Sequence, residues 1–234
     1  MPIRKVAAVF LDIDGTLVDS NESHVSAWAA AFQENGHSIA PNAIRDQIGK
    51  GADMLIPHLV PDLGGDEQRA IAATHDEIFK TRFLPRVIAF PRANELIAAL
   101  HKESVRVVLA SSASAAEVGH YVKLLAVEPF LAATTSADEV RHSKPARDIF
   151  VSALEKVAPI QAADTCVVGD TPYDVIAAAK CGIPAIAVSS GGFPARELKE
   201  AGAIAIYANV AELLTHLDSS PLAMGGMERF AQSK

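Results

Sequence analysis

The chain has 234 residues, half of them hydrophobic and 21% charged, which is ample material for a buried core. That composition excludes a disordered chain, a collagen-like repeat and a disulfide scaffold. With a net charge of −7 and no recognisable basic face, nucleic acid is excluded as a partner. An anionic substrate would therefore need positive charge concentrated locally, for instance by a metal ion.

Cys166 and Cys181 both lie in apolar stretches and read as buried thiols in a reducing compartment. The six apolar residues between Lys5 and Asp12 are too few for a signal peptide, and no stretch approaches the ~20 apolar residues of a membrane span. The expectation is a cytoplasmic protein without membrane contact, acting as a monomer or small homo-oligomer.

The first predicted strand runs from Val6 to Leu11. From Leu17 to about Arg86 no strand is recognisable. Val25, Trp28, Ala29 and Phe32 define one amphipathic helical face there, and Ile71, His75, Ile78 and Phe79 define another. Beyond this stretch, strand and helix patterns alternate. Predicted helices cover Ala93 to Lys102, Ile149 to Val157 and Tyr173 to Cys181. Predicted strands cover Val105 to Ala110, Leu131 to Thr135, Thr165 to Val168, Pro184 to Val188 and Ile204 to Tyr207. Near-continuous apolar strands indicate a sheet covered on both faces, so the fold class is α/β, a doubly wound parallel sheet with an inserted helical cap. The predicted division is a core of residues 1–16 and 87–234 and a cap of residues 17–86, hinged near Thr16 to Asp19 and Val87 to Pro91. Gly191-Gly192-Phe193 reads as a flexible turn, and Ser219 to Lys234 as a loosely ordered tail.

Acidic residues gather at the predicted strand ends. Asp12 and Asp14 follow the first strand, with Gly15 and Thr16 directly after them. Asp170 ends the strand beginning at Thr165, and Asp174 stands four residues later near a helix start. The carboxyl ends of strands form the ligand crevice in such sheets, and carboxylates brought together there repel unless a cation, a shared proton or a turn separates them. An oxygen-only ligand set suits Mg²⁺ together with substrate phosphate. Ser111 and Ser112 end another strand, where hydroxyls and backbone amides at a helix start would cradle a phosphate. Lys144 precedes Pro145 and by itself reads as a solvated surface residue.

These segments resemble, in order and placement, the four motifs of the haloacid dehalogenase-like superfamily: Asp12-Ile13-Asp14-Gly15-Thr16, Ser111, Lys144-Pro145 and Gly169-Asp170 with Asp174. The resemblance extends to about Leu217, and the helical insertion is similar to the cap of the phosphoglycolate phosphatase and β-phosphoglucomutase branch. It implies that Asp12 is the nucleophile, that Asp14 is the general acid and base, and that Ser111, Ser112 and Lys144 hold the phosphoryl oxygens, with Gly15 and Thr16 close by. Mg²⁺ would sit among Asp12, the backbone carbonyl of Asp14, Asp170 and Asp174. His24 and Lys50, in the cap, would face the substrate.

Departures within the superfamily narrow the activity. Dehalogenases lack the second aspartate, which is Asp14 here, and phosphonate hydrolases replace it with alanine. β-Phosphoglucomutases usually carry Glu-Asp where this chain has Gly169-Asp170, and they supply a cap arginine that is missing from Ile48 to Asp53. The resemblance thus implies a Mg²⁺-dependent phosphatase of a small phosphorylated metabolite, with a phosphosugar mutase as the alternative. A phosphoacceptor similar to a receiver domain is a third reading, which the length and the helical insertion oppose.

Overall fold

The computed structural model describes residues 6–224. Six strands form one parallel sheet: β1 (Ala8–Leu11), β4 (Arg106–Ala110), β5 (Leu131–Thr135), β6 (Thr165–Gly169), β7 (Ala185–Val188) and β8 (Ala205–Tyr207), in the order β5-β4-β1-β6-β7-β8. Side chains alternate across a strand, and the two faces consequently belong to separate cores. Val9 and Leu11 join one with Val107, Leu109 and Val168, whereas Ala8 and Phe10 join the other with Val108, Phe150 and Val167. Helices cover both faces, including α5 (Ala93–Lys102), α6 (Ala115–Leu125), α7 (Asp148–Lys156) and α8 (Pro172–Ala179). Strands buried on both sides account for the unbroken apolar runs in the sequence.

Between β1 and α5 the chain leaves the sheet. It forms α1 (Asn21–Glu34), α2 (Pro41–Arg45), α3 (Ala52–Leu59) and α4 (Gly65–Ile78). Val25, Trp28 and Phe32 of α1 are buried, as are Ile71, His75 and Ile78 of α4 and Phe79 just beyond it. Exit and return are tied by a two-stranded antiparallel ribbon, β2 (Val18–Asp19) against β3 (Ile88–Ala89). The expectation of no strand after Leu17 is corrected by β2. Two residues are too few for a periodic pattern, and the pairing depends on a partner about seventy positions away. The tail reading is corrected for Pro221–Met224, which form a helical turn; residues 225–234 lie outside the described residues. Cys166 is buried as expected, but Cys181 is only partly so. Among the described residues no helix is long and apolar enough to cross a membrane.

Candidate active site

The strand order reverses around β1, which lies between β4 and β6. Such a reversal opens a crevice at the carboxyl ends of the strands. Asp12 follows β1, Ser111 follows β4, Asp170 follows β6, and Lys144 arrives from the segment between β5 and α7. The Asp12 amide donates to the Val168 carbonyl at 2.9 Å, extending β1 one residue into the site.

Lys144 is the buried cation of this group, not the solvated residue its local sequence indicates. It is 1% exposed. Its Nζ donates to Asp12 Oδ1 at 2.5 Å and to the Ala110 carbonyl at 2.9 Å, and lies 2.7 Å from Asp174 Oδ1. Burial opposes its charge, but Asp12 and Asp174 hold its pKa above the ordinary lysine value. Burial pushes the Asp12 carboxyl up to about 7, with Lys144 opposing and Asp174 adding to the rise. Asp170 is also raised, by burial and then by the charges of Asp12 and Asp174.

One oxygen from each of Asp12, Asp170 and Asp174 lies within 4.8 Å of the others. Three buried carboxylates beside one lysine leave an excess of negative charge, and this all-oxygen donor set fits a divalent cation such as Mg²⁺.

The carboxylates are fixed from behind. Thr16 Oγ1 lies 2.8 Å from Asp170 Oδ1 and 3.1 Å from Asp12 Oδ2. Asn21 Nδ2 donates to Asp170 Oδ2 and to the Gly191 carbonyl, both at 3.0 Å. Gly15 has φ +75, and a Cβ there would stand 2.3 Å from both Asp170 and Asn21. Thr16 therefore braces the carboxylates by hydrogen bonds, and Gly15, lacking a side chain, leaves room for Asp170 and Asn21 to approach. Asp174 closes a capping box with Thr171 at the start of α8 while its Oδ1 faces Lys144. Gly191 is no passive turn either, because a Cβ on it would come within 1.5 Å of Asp170.

Asp14 stands apart from this trio. Its Oδ1 accepts from Ser20 Oγ at 2.6 Å and faces His24 Nε2 at 3.3 Å, while Ser111 Oγ lies 3.5 Å from Oδ2. Burial disfavours ionisation of Asp14, yet the hydrogen bond and charge of His24 hold its carboxyl below the usual range. Burial likewise opposes charge on His24, and Asp14 raises it. His24 stacks on Phe79 at 3.8 Å, and its Nδ1 lies 3.4 Å from Nε2 of His75, which stacks on Trp28 at 3.8 Å.

The expected helix start at Ser111 and Ser112 is corrected. Helix α6 begins at Ala115, capped by Ser114, which forms a capping box with Glu117. The Ser111 amide is bonded to the Thr135 carbonyl and the Ala113 amide to Ser111 Oγ, so neither of these amides begins a helix. Ser112 Oγ is buried without a hydrogen-bond partner.

A cavity of about 170 Å³ connects these groups to the cap. Asp12, Asp14, Ser111 and Ser112 line one part, and His24, Trp28, Lys50 and His75 line another. The segment carrying Lys50 is docked on the core: Gly51 N donates to Ser143 Oγ at 2.8 Å, and Ser143 N donates to Asp53 Oδ2 at 3.0 Å. Asn21, Ser20, His75, Glu117 and Gly191 were not singled out by local sequence as site residues. Asn21 and Ser20 adjoin the hinge, but Gly191 carries no signal beyond its place after a strand.

The haloacid dehalogenase-like hydrolase family model matches residues 9–188, and the chain belongs to that family. It is a hydrolase, not a receiver-type phosphoacceptor. The Dickeya dadantii protein named "Probable phosphatase IndB" is 28% identical over 226 residues, covering 92% of this chain and 97% of that protein. A phosphoglycolate phosphatase of Pseudomonas fluorescens is 27% identical over 216 residues, covering 88% and 78%. The crystal structure of a hydrolase from Pseudomonas syringae superposes with a TM-score of 0.86 at 28% identity, covering 92% of this chain and 98% of that one. These relatives place the chain in the phosphoglycolate phosphatase-like branch, among its phosphatases.

Proposed function

We propose that this protein is a Mg²⁺-dependent phosphatase that hydrolyses a small phosphate monoester through an aspartyl-phosphate on Asp12. The observation that carries this reading is the buried cluster of Asp12, Asp170 and Asp174 with Lys144 among them, of which Asp12 reaches a cavity that Asp14 also lines. Asp12, Asp170, Asp174 and the Asp14 carbonyl would hold the cation, which supplies charge stabilisation for the transferring phosphoryl group.

The chain's own residues supply the remaining steps. An Asp12 carboxylate oxygen attacks phosphorus as the bond to the leaving oxygen breaks. Lys144 and the hydroxyls of Ser111 and Ser112 hold the phosphoryl oxygens, where negative charge develops. Asp14 protonates the departing alkoxide, with His24 Nε2, 3.3 Å from Asp14 and favoured in its charged form by it, as the source of that proton. In the second half-reaction Asp14 takes a proton from the attacking water, and the bond between phosphorus and Asp12 breaks. The cap-side contacts of Gly51 and Asp53 with Ser143 keep the cavity closed while these steps occur. The mutase alternative is disfavoured because, among the described residues, no arginine lines the cavity to hold a second phosphate.

The test is release of inorganic phosphate from p-nitrophenyl phosphate. EDTA should abolish it and Mg²⁺ should restore it; full activity in metal-free buffer would refute the site.

A further inference from the structure

The part of the cavity beyond the phosphoryl-binding groups reports on the alcohol that leaves. The charged and titratable groups lining it there are Lys50, His75, Asp76, Glu117 and Asp138, beside Trp28. Beyond the phosphoryl-binding groups, positive charge available to the leaving group is limited, among the described lining residues, to Lys50. Lys144 is occupied by Asp12 and Asp174, and His24 by Asp14. Burial drives the His75 pKa down to about 4, which leaves its ring neutral at physiological pH. Lys50 Nζ donates to Gln47 Oε1 at 2.5 Å and sits 4.6 Å over the Tyr173 ring, and burial lowers its pKa. Among the described residues no arginine is in the lining.

Negative charge and acceptor oxygens are abundant by comparison. The Asp76 side chain is 70% exposed and meets the cavity beside His75. Asp138 uses one oxygen, Oδ2, on the Ala115 amide. Glu117 uses Oε2 on the Ser114 amide and hydroxyl. Each of the last two carboxylates has a second oxygen. A carboxylate or phosphate on the leaving group would meet like charge without a guanidinium fork to offset it. Alcohol hydroxyls, in contrast, donate readily to carboxylate oxygens.

We propose that the leaving group is a small hydroxylated alcohol without an anionic group, and that this cavity selects against substrates carrying a second negative charge. The inference rests on the phosphatase reading above and goes beyond it. It also separates this chain from those relatives named phosphoglycolate phosphatase, whose named substrate bears a carboxylate.

Matched pairs that exchange a CH₂OH for a carboxylate provide the test: glycerol 3-phosphate against 3-phosphoglycerate, and 2-hydroxyethyl phosphate against phosphoglycolate. The alcohol member should have a kcat/KM at least about tenfold higher, the scale of one unscreened like-charge contact in a partly desolvated site. Equal values, or preference for the acids, would overturn the selectivity while leaving the phosphatase reading intact. Failure to hydrolyse p-nitrophenyl phosphate would instead refute the phosphatase reading and the selectivity with it. In the double variant Asp76→Asn with Asp138→Asn the ratio should fall several-fold, and an unchanged ratio would refute the role assigned to these two carboxylates.

Discussion

Lys144 Nζ and Asp12 Oδ1 meet at 2.5 Å although their residues are 132 positions apart. The contact places the buried lysine at the proposed nucleophile, where it offsets charge on Asp12 and, in the mechanism proposed above, would offset charge on the phosphoryl group during transfer. Replacing Lys144 with Ala should depress hydrolysis of every phosphate ester by about 10²-fold or more, the scale of losing one preorganised charge. Replacing Lys50 with Ala should change the ranking of substrates and affect a small aryl phosphate little. Steady-state kinetics on a substrate panel decides the matter, and an equal, uniform loss in both variants would contradict the division into catalytic core and selective cap.

Asp12 and Asp14 should fail in different ways. Asp12→Asn removes the nucleophile, so rapid quench with labelled substrate should trap no phosphoenzyme. Asp14→Asn retains the nucleophile and loses the proton donor. Its defect should be severe with alkyl phosphates and milder with p-nitrophenyl phosphate, whose leaving group needs little protonation. A defect independent of leaving-group pKa would make Asp14 a purely structural residue.

Gly191 tests how closely the loop after β7 must approach the acidic cluster. Its Cβ would meet Asp170 Oδ2 at 1.5 Å, so Gly191→Ala must displace either Asp170 or the loop. The expected result is a raised Mg²⁺ requirement and a loss of about 1–3 kcal/mol of stability from overpacking. Mg²⁺ titrations of activity together with thermal melts read both effects, and wild-type behaviour in each would contradict the packing.

His75 gives a dependence on pH. Burial lowers its pKa from 6.5 to about 4 in the folded protein, so the unfolded chain takes up a proton at higher pH than the folded one. The stability associated with the neutral ring is therefore complete above about pH 6.5 and is lost as pH falls toward 4, by up to about 3 kcal/mol. In His75→Gln this component of the acid destabilisation should disappear. Urea unfolding at pH 7, 5.5 and 4.5 should show the wild type losing more stability than the variant; parallel curves would mean that His75 titrates normally.

The sequence alone determined the parallel sheet of this protein and the acidic residues at its strand ends. The central strands β1, β4, β6 and β7 were legible because burial on both faces demands unbroken apolar runs, and Asp12 and Asp170 were legible because each interrupts its chain where such a run ends. Tertiary structure decided how charge is distributed among these residues. Lys144 has the local sequence of a surface lysine, and only the convergence of three strand ends makes it a buried cation. Thr16 and Gly15 adjoin the first acidic pair in sequence, but in the fold Thr16 bonds Asp170 and Gly15 leaves room for its approach. The hinge ribbon, the His24–His75 stack and the contact of Gly191 with Asp170 likewise join distant segments, and short-range periodicity carries no record of such pairings. Local pattern encodes which side chains are buried, whereas the partners that set a buried group's protonation are fixed by the fold.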